Sequence, residues 1–377
     1  MAGKFKSRPC PHQISLPLKF CFNMLFCKIK KLYFIRRKSM KKLLSALILS
    51  AAVVLGAEVK TLTDMTGNEV KIPANVERIA ALWHANNQII LVLGGMDKVV
   101  TTTDLIKKNK WFAQIYPRVK DLPAALNGND IQIEELVKLA PDAVVVSNKN
   151  FQENLAKNGF NAVNAIFRDY DDMKKSVLLT AQIIGGDAAS KAKELNENLD
   201  ANIALVSERT SKLEDAKRPK VLHIVGGANL LKIDGTKTII DTWIKYAGGK
   251  NAVQKDGSMI EITAEEIVSS DPDIIIVGGA NNQKAVEKIY ADPVFAGLKA
   301  VKDKKVYGNP KGVFSWDRYG AESALQILWA AKTIQPELFT DIDVKAETKA
   351  FYKKFMNYEL SDAEFEYILK GLNPEGK

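Results

Sequence analysis

The chain has 377 residues and a formal net charge of +10, with 46% hydrophobic and 26% charged residues. Twelve of its 54 lysines and arginines lie in residues 1–57, which hold no acidic residue, leaving 42 basic against 44 acidic residues in the rest. The positive excess therefore belongs to the leader and gives no ground for nucleic-acid binding; the three cysteines (Cys10, Cys21, Cys27) lie there too, which excludes disulfides, thiolate metal sites and a cysteine nucleophile from residues 58–377.

The leader contains an export signal. Met40-Lys41-Lys42 is a positively charged start, residues 43–55 are apolar, and Gly56-Ala57 supplies small residues for cleavage before Glu58. The apolar core is too short to span a bilayer, which needs ~20 residues. Residues 1–39 read as an upstream extension. The expected product is a free periplasmic protein with a signal peptide at about 40–57 and no lipid anchor, since no cysteine stands at the cleavage point.

Residues 58–73 alternate polar and apolar around Thr66-Gly67-Asn68 and predict a hairpin. A strand over 78–82 precedes Trp-His-Ala-Asn-Asn-Gln and a helix closed by Gly94-Gly95. A strand over 99–102, a helix over 131–139 and a strand over 143–147 follow, then a helix over 151–158 and a strand over 162–167. The longest helical stretch runs from Asp171 to about Asp215, interrupted near Gly185-Gly186. Leu195, Leu199, Ile203 and Val206 share one face of it. Beyond it come a strand over 221–225, helices over 238–247 and 263–269, a strand over 274–277, a helix over 283–289 and a strand at 306–307. A glycine-flanked loop over 312–320 and helices over 320–335 and 344–356 close the chain.

One phrase occurs twice. Glu134 to Val146 reads EELVKLAPDAVVV, and Glu265 to Val277 reads EEIVSSDPDIIIV, 131 residues later. A helix ended by Pro-Asp and followed by a β-branched strand is ordinary turn chemistry; its recurrence indicates two similar α/β lobes with parallel sheets. The division this suggests is an extension and signal over 1–57, an N-terminal lobe over 58–170, a connecting spine helix over 171–216 and a C-terminal lobe over 217–377. Two lobes make a cleft, and clefts take small ligands.

Candidate chemistry is sparse. There is no P-loop and no G-x-S-x-G elbow, and residues 58–377 contain two histidines, His84 and His223, too far apart for a standard zinc spacing. His84 follows a strand directly, where open α/β lobes bind ligands, and Trp83, Asn86 and Asn87 stand beside it. The alternative is that Trp83 packs and the amides cap a helix. His223 lies inside an apolar strand, as a ligand or as a satisfied core residue. Trp316, Arg318 and Tyr319 offer rings and a guanidinium fork to a chelate, unless Arg318 pairs with an acid. Arg118 and Arg168 either reach the cleft rim or lie solvated. Glu134 and Glu265 either favour a helix first turn or form a matched pair that docks on a cationic partner.

Together these features resemble the class III periplasmic substrate-binding proteins of ABC importers, which serve ferric siderophores, haem, cobalamin and some nickel complexes. The resemblance rests on the hairpin TDMTGNEVKIP, the phrase ERIAAL, both Glu-x6-Pro-Asp repeats, the spine, AGGKNAV and GNPKGVFSWDRYG, in that order over nearly all of 58–377. It implies two Rossmann-like lobes bridged by one long helix. It implies a ligand held by Trp83, His84, Arg118, His223, Trp316, Arg318 and Tyr319, with His84 as a metal donor, and a membrane permease docked through Glu134 and Glu265. The expected cargo is a metal chelate: a ferric siderophore first, then a nickel or cobalt complex, haem or cobalamin. No intrinsic cofactor, no enzymatic activity and a monomeric state are expected. The alternative is a class II chelatase, which would need a base and metal ligands converging in the cleft.

Overall fold

The computed structural model describes residues 58–280 and 282–377; the export signal and upstream extension read above lie outside them. The first unit of sequence is the hairpin of β1 (Val59–Thr63) and β2 (Glu69–Pro73), paired antiparallel as its alternation requires. The N-terminal lobe follows as β3 (Ile79–Ala81), α1 (His84–Val92), β4 (Val99–Thr103), α2 (Asp104–Lys107), α3 (Lys110–Ile115), β5 (Ala124–Asn127), β6 (Asp130–Ile131), α4 (Ile133–Leu139), β7 (Ala143–Val146), α5 (Lys149–Lys157) and β8 (Ala162–Asn164). Its sheet has the order β6-β5-β4-β3-β7-β8, parallel except where β6 turns back on β5.

The expected single spine is two helices, α6 (Tyr170–Ile184) and α7 (Ala188–Thr210). Gly185 and Gly186 both have positive φ (75° and 57°), which a glycine adopts without strain, so the chain turns there. The helices then pack side by side, with Lys174 of α6 reaching Asp200 of α7 at 2.7 Å. The connecting rod is therefore α7 alone, 23 residues and about 34 Å long. Ala192, Leu195, Leu199 and Val206 form its buried face.

The C-terminal lobe is built from β9 (Lys220–Ile224), β10 (Lys232–Asp234), α8 (Ile239–Tyr246), β11 (Lys250–Asn251), β12 (Ile260–Glu261), α9 (Ala264–Ser270), β13 (Ile274–Val277), α10 (Asn282–Ala291), α11 (Lys299–Lys302) and β14 (Val306–Gly308). The core of its sheet, β9-β13-β14, is parallel. On the other side of β9 the sheet turns antiparallel through β10 and β12, because no helix separates β9 from β10 to carry the chain back. Three helices end the chain: α12 (Ser323–Ile334), α13 (Val344–Met356) and α14 (Asp362–Leu369). They carry it back to the first lobe, where Lys110 pairs with Glu375 and the Trp111 indole donates to Leu372 O.

Both sheets are buried on both faces, so their strands read as continuous apolar runs rather than alternating ones. Ile79, Ala81, Ala143 and Val145 face a core shared with α7, α8 and α12; Ala80, Leu82, Val144 and Val146 face a separate core under α4 and α5. In the second lobe Val221, Ile274 and Ile276 join the shared core, whereas Leu222, Ile224, Ile275 and Val277 pack under α9 and α10.

The repeated phrase is the same clamp built twice. Each helix, α4 and α9, ends on a left-handed residue before its proline, Ala140 (φ 41°) and Asp271 (φ 39°). The aspartate after each proline then grips the start of its lobe's first parallel strand. Asp142 Oδ2 accepts from the Glu77 and Arg78 amides at 2.7 and 2.9 Å, and Asp273 Oδ2 accepts from the Lys220 amide at 2.8 Å. Residue by residue, the two helices bury the same positions.

Candidate functional site

The carboxyl ends of β3, β4 and β8 in one lobe and of β13 and β14 in the other open on a common cleft, the position where parallel sheets present ligand-binding loops. Trp83 stands two residues beyond the end of β3 at Ala81 and is buried. Its ring packs at 5.4 Å on Phe167, which follows β8, and at 6.0 Å on Tyr319 of the late loop; Phe167 and Tyr319 are 5.4 Å apart. This cluster joins the two lobes, and Phe167 and Tyr319 line one of two cavities.

The first cavity, about 370 Å³, is lined by Ile166, Phe167 and Arg168 from the N-terminal lobe, by Lys237 to Ile239 at the start of α8, by Asp256 to Ser258, and by Tyr319. Lys237 pairs with Asp256, whereas Arg168 has no salt bridge among the described residues. The second cavity, about 480 Å³, is lined by His84, by parts of 105–111, by Ala280, Lys311 and Phe314, and by the chain end from Gly371. Both volumes fall in the range of small-molecule sites.

His84 opens α1, and its Nδ1 lies 3.1 Å from Thr103 Oγ1. Burial lowers its pKa, and the nearby Asp104 only partly opposes this. The ring is therefore neutral at pH 7. Its Nε2 has no hydrogen-bond partner among the described residues. A neutral imidazole steadied through one nitrogen leaves the other as a donor for a metal. The neighbouring amides line neither cavity. Asn87 is spent inside the turn, donating to Ala81 O and Trp83 O at 2.9 Å and accepting from Thr102 at 2.7 Å. Asn86 donates to Thr180 at 2.8 Å.

Several expected contacts do not reach the cleft. Arg118 is exposed and bound to Asp97 at 2.8 Å, lining neither cavity. Trp316 is fully buried, its indole donating to Glu322 Oε1 at 3.0 Å. His223 is also fully buried, with Nδ1 2.9 Å from Asp234 and Nε2 3.0 Å from Asp317. Both of its nitrogens are occupied, so it is not a metal donor. It does not converge with His84, as a chelatase would require. Arg318 is buried beside it, donating to Asp234 Oδ2 at 2.7 Å. Of that loop's three candidates only Tyr319 faces the cleft. Arg168, in sequence either a rim or a solvated arginine, lines the first cavity, as does Lys237, which no sequence pattern marks. Glu134 and Glu265 are both exposed, each in the first turn of its helix.

The buried network still shapes the site. Asp234 also accepts from Ser258 Oγ at 2.6 Å and the Met259 amide at 3.0 Å, so it fastens the 256–259 wall to the loop bearing Tyr319. Burial pushes the His223 pKa down, but the hydrogen bonds to Asp234 and Asp317 outweigh it and the net shift is upward. Burial pushes Asp234 up, but His223 and then Arg318 outweigh it and the net shift is downward. A raised histidine stabilises fully below its unfolded value, ~6.5, and loses that contribution as pH rises through its folded value; a depressed aspartate stabilises above ~3.9 and loses that as pH falls. Thermal midpoints are expected to be highest between about pH 4 and 6.5 and to decline toward pH 9. His223→Gln should lower the midpoint and flatten the decline. Equal slopes for both proteins would show that His223 does not titrate with folding.

Among the described residues no group of three or more His, Cys, Asp or Glu is placed to hold a metal ion, and no helix is long and apolar enough to cross a membrane. The sequence model of a family described as periplasmic binding protein matches residues 79–312, well over half of the chain. The molybdate-binding protein MolA of Haemophilus influenzae is 24% identical over 343 residues, spanning 84% of this chain and 96% of its own length. A periplasmic solute-binding protein of Veillonella parvula superposes with a TM-score of 0.71 at 27% identity, covering 84% of this chain and 99% of that one. Helicobacter pylori CeuE, solved as a nickel–histidine complex, gives a TM-score of 0.68 at 22% identity and covers 83% of this chain and 99% of its own.

Proposed function

The chain belongs to the periplasmic binding protein family, within the class III solute-binding components of ABC importers, and from that membership we propose that it captures a chelated metal between its lobes and delivers it to a membrane permease. The observation that carries the reading is the pairing of a neutral His84 facing a cavity with the lack, among the described residues, of a three-ligand cluster. One imidazole cannot satisfy a transition metal, so the ion arrives with most of its own donors. Similar proteins are a molybdate-binding protein, a Staphylococcus aureus protein of a high-affinity haem uptake system and CeuE solved with nickel–histidine. A ferric siderophore, a nickel or cobalt complex, haem and cobalamin are the cargo classes to test, on protein taken from the periplasm.

Titration calorimetry and native mass spectrometry are expected to show one chelate bound per chain and no uptake of free ferric or nickel ion. His84→Ala should weaken the chelate at least about tenfold, ~1.4 kcal/mol. An unchanged affinity would remove His84 as a donor. Turnover of a porphyrin into its metallated product would replace this reading with the chelatase one.

Docking is proposed at α4 and α9. Glu134 and Glu265 stand on equivalent exposed positions. Three residues on, Val137 and Val268 are 61% and 47% exposed, on the same faces as the acids. Each lobe thus offers one carboxylate beside one apolar side chain.

A further inference from the structure

The cavity beside His84 carries a charge that the fold does not neutralise. Its lining includes Lys108, Lys110, Lys311 and Lys377 and no acidic side chain, in a chain whose residues 58–377 are close to neutral. The lysines are not equivalent. Lys108 reaches Asp104 at 3.2 Å and Lys110 reaches Glu375 at 2.7 Å, both acids lying outside the lining. Lys311 is partly buried, and among the described residues its ammonium has no carboxylate within ion-pair distance. Its backbone is fixed: the amide donates to Ile368 O at 2.9 Å, and the residue bridges Ser315 across the loop. Burial lowers its pKa, opposed only by the field of Asp317.

No side chain in the lining supplies the missing counter-charge to Lys311. His84 is neutral. The Asn109 amide is already committed, donating to Val313 O at 2.8 Å and accepting from the Phe112 amide at 3.0 Å. Taking a cation out of water without a partner costs free energy, and an anion placed beside it offsets that cost. We infer that this cavity takes a ligand of net negative charge, an oxyanion or an anionic metal complex, whose oxygens pair with the Lys311 ammonium. The inference rests on the solute-capture reading and narrows it: a neutral complex of similar size leaves the ammonium buried and unpaired and is rejected on that account.

The test uses the whole exported chain, with molybdate, a trianionic ferric tris-catecholate and neutral bis-histidine nickel as probes, titrated at low and high ionic strength. At least one anionic probe is expected to bind, more weakly at high salt. Lys311→Met should weaken it at least about tenfold, Lys311→Arg should retain it, and Lys311→Met should tighten the neutral probe rather than weaken it. Lys311→Met should also keep or raise the thermal midpoint, because it removes an uncompensated charge; a lysine with a merely structural role would lower it. Unchanged anion affinity in Lys311→Met, or tighter binding of the neutral complex by the parent protein, overturns the charge assignment and leaves solute capture standing. Binding of no probe at all counts against capture itself, and this inference falls with it.

Discussion

Reversing both repeat acids, Glu134→Lys together with Glu265→Lys, is expected to abolish import while leaving solute capture intact. Neither side chain has an ion pair among the described residues, and neither lines a cavity. Their helices bury Leu136 and Ile267 on the opposite side, so the fold does not depend on the acids. A cationic partner surface would meet two like charges instead of two opposite ones. Juxtaposed like charges at an interface cost several kcal/mol, enough to stop productive docking. Each single reversal should give a partial loss. Uptake of labelled solute by cells that depend on this chain, measured beside its titration in solution, separates the two steps. Normal uptake by the double variant would end the docking proposal.

The largest effect on stability is expected at Glu322. This carboxylate is fully buried and receives four donors: Gln88 Nε2 at 2.8 Å, the Phe314 amide at 2.7 Å, Trp316 Nε1 at 3.0 Å, and the Tyr352 hydroxyl. Burial pushes its pKa up, against all four donors. Gln88 belongs to α1 and Tyr352 to α13, while Phe314 and Trp316 belong to the late loop. The group therefore ties the His84 helix to the loop that carries Lys311 and Tyr319. Glu322→Ala removes the acceptor and leaves four donors unpaired, three of them buried, a loss of about 3–5 kcal/mol by the measure of broken buried pairs. Glu322→Gln keeps the shape but points an amide N–H₂ at donors, and should cost about 2 kcal/mol. Denaturant unfolding reads both. A loss below about 1 kcal/mol for the alanine variant would mean that water replaces the carboxylate.

Much of the fold is legible because its signals are local. The repeat, the apolar strands and the helix over 188–210 are periodic over enough residues to declare themselves. The Pro-Asp pair is visible as a turn, but its clamp on Arg78 and Lys220 is not, since those partners stand about 60 and 50 residues away. β10 and β12 span three and two residues, too few for a period to show. The site is less legible for a different reason. Trp316, Arg318 and Tyr319 are near neighbours in one loop, and only the folded backbone decides which of them turns inward. His223 finds its two carboxylates at Asp234 and Asp317 through strand pairing and loop closure, which no spacing rule encodes. Lys311 looks in sequence like one more solvated lysine; its isolation from acids exists only in three dimensions.

The doubled clamp also bears on symmetry. Two identical subunits meeting at a twofold axis would line their groove with the same side chains from each side. Because both copies here belong to one polypeptide, each half is free to drift. The helix leading into one copy carries a full capping box, Thr263 with Glu266, and its counterpart at Gln132 has no side-chain cap. The same freedom lets one rim offer an imidazole and the other an ammonium, so that a single lopsided guest can be held in one orientation.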